Sequence, residues 1–229
     1  MISAILLDLD DTLYDEADYV RSGLAVVAER IAALSGRAPT AVLETLAAVE
    51  RRDGRGKVFD TTLRALGVVG DPAFVRRLVT AYRMHRPEID LARGVRRLLT
   101  RLGARHRLAI VTDGLPSMQR RKIAALDLEP AVDAVVYTWE LRAPKPDPAG
   151  FLLALDRLGV APDCAVVVGD NPRHDIAAAR AIGARSIRVR GGRFVDLASL
   201  SSAPPDREIH GVDALEDALA SLEGVLAHA

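Results

Sequence analysis

At 229 residues the chain is long enough for one substantial core, or for a core plus a smaller inserted domain. Hydrophobic residues at 49% and charged residues at 27% exclude a disordered chain, and 31 basic against 31 acidic side chains leave no global field to attract nucleic acid or an anionic membrane. One cysteine, Cys164, excludes an internal disulfide and fits a reducing, cytoplasmic setting, where it is expected to be a small core residue at the entry to a buried strand. No basic stretch followed by a long apolar run opens the chain, and no apolar run approaches the roughly 18 residues of a membrane span.

The first element is AILLDL (4–9), whose continuous rather than alternating hydrophobicity predicts a strand buried on both faces of a parallel sheet. It runs straight into Asp8, Asp10 and Asp11, a costly crowding of charge at a buried strand end. From 15 to 88 the pattern becomes helical: ADYVRSGLAVVAERIAAL, PTAVLETLAAVERR, VFDTTLRALG and PAFVRRLVTAYRMH are separated by glycine or proline. Within this stretch DGRGKVFD reads equally as an ordinary interhelix turn or as a substrate loop.

Beyond it, GVRRLLTRL places Val95, Leu98, Leu99 and Leu102 on one helical stripe. Strands are then expected at RLAIVTDG (107–114), AVVVGDN (165–171) and RSIRVR (185–190), with helical patterns at PAGFLLALDRLG and HDIAAARAIGA. The tail from 201 reads as a loop, a short edge strand around Glu208–His210, and a closing helix capped by Asp213. Alternation of strand and helix predicts a doubly wound α/β sheet, Rossmann-like, built from 1–14 and 89–229, with an all-helical insertion at 15–88. The first strand lacks the Gly-x-Gly-x-x-Gly turn of a dinucleotide-binding site.

In an open parallel sheet, ligands bind beyond the carboxyl ends of the strands. Three predicted strands end there in carboxylates: Asp8 and Asp10, then Asp113, then Asp170 with Asp175. One such aspartate is ordinarily a helix cap, but three together require a positive partner. An all-oxygen cluster without histidine or cysteine suits a hard cation, Mg²⁺ above all. Thr112, at the end of its strand before Asp113 and Gly114, offers a hydroxyl and backbone N–H groups to anionic oxygens. Lys145, stiffened between Pro144 and Pro146, reads alone as a solvated charge, and beside the carboxylate cluster as a phosphate clamp.

These residues bring a family into view. DLDDTL, VTDG, KPDP and GDNPRHD appear in the order of the four motifs of the haloacid dehalogenase-like (HAD) hydrolase superfamily, and the chain resembles that family over almost its full length. The resemblance implies that Asp8 is a nucleophile forming an aspartyl-phosphate, and that Asp10 is the general acid and then the general base. It implies that Mg²⁺ is held by Asp8, the backbone carbonyl of Asp10, and Asp170. Thr112, the N–H groups of Asp113 and Gly114, and Lys145 would bind the phosphoryl oxygens, while Asp175 would orient Lys145 or a metal-bound water. Asp11 is expected only to shape the loop, and the side chain of Asp113 to matter less than its N–H.

Dehalogenases of this family lack the second aspartate, so Asp10 favours a phosphate ester. The insertion resembles the family's small helical cap, where Tyr14, Asp15, Asp18 and Arg21 are candidate leaving-group contacts, Tyr14 first among them. Gln119 and Lys122 resemble members that act on nucleoside monophosphates or acylated sugar phosphates, although both also fit a plain amphipathic helix. The arginines between Arg93 and Lys122 follow helix-face spacing with little aromatic interleaving, and read as a solvated face.

The expected function is therefore a Mg²⁺-dependent phosphatase of a small phosphorylated metabolite, a sugar phosphate or nucleoside monophosphate. The alternatives are a sugar-phosphate mutase of the same superfamily and a catalytically idle HAD-fold module that binds a metabolite or protein. The sequence is equally compatible with a monomer and a homodimer.

Overall fold

The computed structural model describes residues 1–199 and 202–226. Position 201, where the predicted tail loop begins, and positions 200 and 227–229 of the predicted core lie outside the described residues. The chain divides into two compact units, one of Met1–Glu16 with Asp90–Ala229 and one of Ala17–Ile89.

The first unit is built on a six-stranded sheet: β1 (Ala4–Leu7), β2 (Arg107–Thr112), β3 (Ala134–Tyr137), β4 (Ala165–Gly169), β5 (Arg185–Val189) and β6 (Arg207–Ile209). Every pairing is parallel and the strand order is β3-β2-β1-β4-β5-β6, the doubly wound arrangement whose order reverses beside β1. All four residues of β1 are fully buried, as its continuous apolar run demands. Leu7 pairs with Ile110 on one side and with Val168 on the other, so three strands terminate nearly level.

Helices cover this sheet. Helix α5 (Val95–Gly103) buries Val95, Leu98, Leu99 and Leu102, the stripe read from its spacing. Helices α6 (Pro116–Ala125), α7 (Ala149–Leu158) and α8 (Ala177–Ala181) follow β2, β3 and β4, and α9 (Leu215–Leu226) closes the described chain. Leu6, Val111, Val167, Phe151 and Ala178 form one core between sheet and helices.

Three local outcomes differ from the sequence reading. Strand β3 is not anticipated, because it is four residues long at a sheet edge and only Val136 in it is buried. Cys164 is half-buried in a 3₁₀ turn (Pro162–Cys164) ahead of β4 rather than in the core. Asp213 does not cap the last helix: it lies inside a 3₁₀ turn (Val212–Ala214) that has no side-chain cap.

The second unit is entirely helical among its described residues. It contains α2 (Pro39–Asp53), α3 (Val58–Ala65), α4 (Pro72–Met84) and all of α1 (Glu16–Ser35) but its first residue. Val27, Ile31, Leu46 and Leu78 are buried in its own core. Its turns behave as glycine and proline predict: Gly54 ends α2 in a positive-φ conformation, and Asp71 caps α4 by accepting from the Phe74 N–H at 2.5 Å. Among the described residues no helix is long and apolar enough to cross a membrane.

Candidate active site

The ends of β1, β2 and β4 deliver their polar residues to one place. Asp8 immediately follows β1, and its N–H donates to the Val168 carbonyl at 2.8 Å, which keeps the turn tied to the sheet. Lys145 reaches across from the loop after β3: its Nζ lies 2.6 Å from Asp8 Oδ1 and 2.7 Å from Asp175 Oδ1. Thr12 donates from Oγ1 to Asp8 Oδ2 at 3.4 Å. Asp175 stands in a π-helical turn (Pro172–Ile176), and its Oδ2 accepts from the Asn171 N–H at 3.2 Å. Gly169 leaves room for it, since a Cβ there would fall 2.4 Å from Asp175 Cγ.

Asp8, Asp170 and Asp175 each place a carboxylate oxygen within 4.8 Å of the others, and all three residues are buried. One ammonium serves this group, and Oδ2 of Asp170 is buried without a hydrogen-bond partner. Burial, then the neighbouring charges of Asp8 and Asp175, push the Asp170 carboxyl up to about 9. Asp8 is pushed up to about 7, first by burial; the charge of Lys145 opposes this, while Asp175 and Asp10 add to it. Lys145 is raised, because the charges of Asp175 and Asp8 outweigh the effect of its burial. Excess negative charge, hard oxygen donors and an orphaned buried oxygen together fit a divalent cation such as Mg²⁺.

Asp10 sits in a second set of contacts. Lys122 Nζ lies 2.8 and 2.9 Å from its two oxygens, Gln119 Nε2 lies 2.9 Å from Oδ2, and the Tyr14 hydroxyl donates to Oδ1. Burial pushes the Asp10 carboxyl up, but the charge and hydrogen bonds of Lys122 prevail, with Tyr14 and Gln119 helping, and hold it below the usual range. Gln119 Nε2 also donates to Thr112 Oγ1 at 2.6 Å, so this hydroxyl accepts from the glutamine and keeps its own proton for another acceptor.

The second aspartate region of the sheet is equally organised. Thr112 is the last residue of β2 and is buried; Gly114 follows Asp113 with φ of 119°. The carboxylate of Asp113 accepts from the Thr138 hydroxyl and, at 3.1 Å, from the Lys145 N–H. It therefore holds the loop that presents Lys145, a structural role for a side chain that the sequence reading expected to matter less than its N–H. Asp8, Asp10, Asp113, Lys145, Asp170 and Asp175 all line one pocket of about 70 Å³. Of the other candidates, Asp15 is exposed, and Arg21 belongs to the helical unit, where it pairs with Asp18 at 2.7 Å.

Gln119 and Lys122 emerge as the polar neighbours that spacing alone leaves undecided. Both are buried with Ile123 on one stripe of α6. A glutamine and a lysine on the buried stripe of a helix are the available signal, because such groups enter a core only when partnered.

A doubly wound sheet with carboxylates and a buried lysine at its switch point defines an α/β protein whose ligand site lies beyond the carboxyl ends of its central strands. The sequence profile of haloacid dehalogenase-like hydrolases matches residues 2–183, and the chain belongs to that family. It is 35% identical over 185 residues to the phosphoserine phosphatase of Thermus thermophilus, covering 80% of this chain and 72% of that protein. It is 31% identical over 210 residues to the glyceraldehyde 3-phosphate phosphatase of Methanopyrus kandleri, covering 86% and 88% of the two chains. Among solved structures, a 2-haloacid dehalogenase from Pseudomonas syringae superposes with a TM-score of 0.66 at 27% identity, over 97% of this chain and all (100%) of that one. This chain is thus a hydrolase of the family.

Proposed function

We propose that the protein is a Mg²⁺-dependent phosphatase that hydrolyses a small-molecule phosphate monoester through an aspartyl-phosphate. The observation that carries this reading is the setting of Asp8. It is a buried carboxylate at the end of the central strand, with Lys145 on one oxygen and the unpartnered oxygen of Asp170 beside it. In this reading the unit of Met1–Glu16 and Asp90–Ala229 is the catalytic core and the helical unit is the cap.

Asp8 attacks phosphorus, the bond to the alcohol oxygen breaks, and Asp10 gives that oxygen a proton. Water then attacks the phosphorus of the aspartyl-phosphate, Asp10 takes its proton, and the bond from Asp8 to phosphorus breaks to release phosphate. Lys145, the Thr112 hydroxyl and the N–H groups of Asp113 and Gly114 bind the phosphoryl oxygens as charge shifts among them. Asp8, Asp170 and the carbonyl of Asp10 would hold Mg²⁺, which when bound would offset the repulsion between an anionic nucleophile and an anionic substrate.

The presence of Asp10 in the same pocket as Asp8 favours an ester over a halide. A halide is a weak base and departs without a proton, whereas an alkoxide needs one; Tyr14, Gln119 and Lys122 hold the Asp10 carboxylate in place and, in the free protein, ionised. Phosphate release from p-nitrophenyl phosphate, dependent on added Mg²⁺ and lost in Asp8→Asn, is the expected result. The loss should reach several orders of magnitude, on the order of 5 kcal/mol of barrier or more. Undiminished turnover in that variant would overturn the mechanism.

A further inference from the structure

The mechanism leaves the third aspartate of the first loop unused, yet its carboxylate is fully engaged. Asp11 Oδ1 accepts from the Glu16 N–H at 2.9 Å, and Oδ2 accepts from the Arg193 N–H at 3.2 Å. The segment after β5 is built around this side chain: Gly192, at φ of 57°, lies so near that a Cβ would fall 2.1 Å from Asp11 Cγ. Glycine is required there both for the close approach and for the left-handed backbone. Asp11 therefore joins the catalytic loop to a 3₁₀ turn (Gly192–Phe194) that begins far away in sequence.

What this junction delivers is a guanidinium. Arg193 lines the same pocket as Asp8, Asp10, Lys145 and Asp170. Its Nη1 lies 3.2 Å from Glu16 Oε2, and its guanidinium carbon stands 4.7 Å from the centre of the Phe194 ring. Glu16 is itself a buried acid, 9% exposed in its side chain, so the arginine is anchored by its backbone, by one nitrogen and by a ring face. Half of its side-chain surface, 50%, nevertheless remains open. Lys145, by contrast, is 2% exposed and enclosed between two carboxylates. The pocket thus holds one cation committed to the nucleophile and a second at its rim with donors to spare.

Resting on the phosphatase reading, we propose that Arg193 binds a carboxylate on the alcohol portion of the substrate, so that the favoured substrates are phosphate esters of hydroxy acids. A planar five-donor fork matches a carboxylate in two parallel hydrogen bonds, and preset anchoring reduces the entropy lost on forming them. Charge selects the carboxylate over a second phosphate. Five aspartates line the pocket, and a monoanion meets less repulsion there than a dianion. The residue acts on recognition and leaves the bond-breaking steps to Asp8 and Asp10.

The test compares O-phosphoserine, O-phosphoethanolamine and ethylene glycol bisphosphate; the first two differ only in the carboxylate. In the unaltered enzyme with Mg²⁺, kcat/KM should be highest for O-phosphoserine. In Arg193→Met the ratio of kcat/KM for O-phosphoserine to that for O-phosphoethanolamine should fall about tenfold or more, carried mainly by KM. Arg193→Lys should restore part of it. A loop merely loosened by the substitution lowers both substrates together and leaves the ratio unchanged, which would overturn the proposal. So would a wild-type preference for the bisphosphate or for O-phosphoethanolamine. Release of phosphate from O-phosphoethanolamine with an unmoved ratio strikes only at Arg193, whereas no release from any of the three, or from p-nitrophenyl phosphate, strikes at the phosphatase reading itself.

Discussion

The Lys122 ammonium, buried on α6, stands within 2.9 Å of both carboxylate oxygens of Asp10. An ion pair of this kind contributes little over an apolar pair of the same shape, but removing one member leaves a buried charge uncompensated. Lys122→Met is therefore expected to destabilise the fold by about 3 kcal/mol or more, read from the denaturant midpoint. Asp10→Asn in the same background should recover part of that loss. Strict additivity of the two substitutions in a double-mutant cycle would show that the pair is not coupled.

Asp113 acts through Lys145. Its carboxylate accepts from the Lys145 N–H and from Thr138, so the acceptor oxygen matters and the charge does not. Asp113→Asn keeps an acceptor and should stay within a few-fold of the parent in kcat/KM, while Asp113→Ala should lose on the order of a hundredfold as Lys145 loosens. Equal losses in the two variants would refute this positioning role.

The carboxylate cluster predicts how stability and metal binding respond to pH. In the metal-free protein Asp8 is pushed up to about 7 and Asp170 to about 9, by burial first, both above the ordinary 3.8. The folded chain then binds protons more tightly than the unfolded one, so this contribution is complete below about 4 and is lost as pH rises through about 7 and then about 9. The metal-free melting temperature should fall over that window, and saturating Mg²⁺ should flatten the fall. Calorimetric titration with Mg²⁺ near neutral pH should show proton release, as heats that vary with the ionisation enthalpy of the buffer. Heats independent of buffer would contradict the shifted carboxyls.

Gly169 is at the end of β4 for want of space. A methyl group there meets Asp175 Cγ at 2.4 Å, and the acid cannot yield without releasing Lys145, which it holds at 2.7 Å. Gly169→Ala should cost about 1–3 kcal/mol of stability and reduce kcat at least about tenfold. A variant with full kcat would show that Asp175 has another position from which to hold the lysine.

Much of this protein can be read from its sequence alone. A continuous apolar run marks a strand buried on both faces, and the end of such a run marks where candidate ligand-binding groups are sought; the placement of Asp8, Thr112 and Asp170 at strand ends follows from that rule. The stripe of α5 and the helical character of α1 to α4 follow from periodicity in the same way. Strand β3 does not, because four residues at a sheet edge, only one of them buried, carry too short a pattern. Gln119 and Lys122 show only as polar residues on a buried stripe, and their meeting with Asp10 spans 109 and 112 positions of chain. Arg193 and Asp11 lie 182 positions apart and carry no shared local pattern at all. Periodicity encodes which face of an element is buried, a property of neighbours along the chain. Which donors surround Asp10, and which cation stands at the rim of the pocket, depends on how crossovers return the chain to the same sheet edge, and only the folded structure decides that.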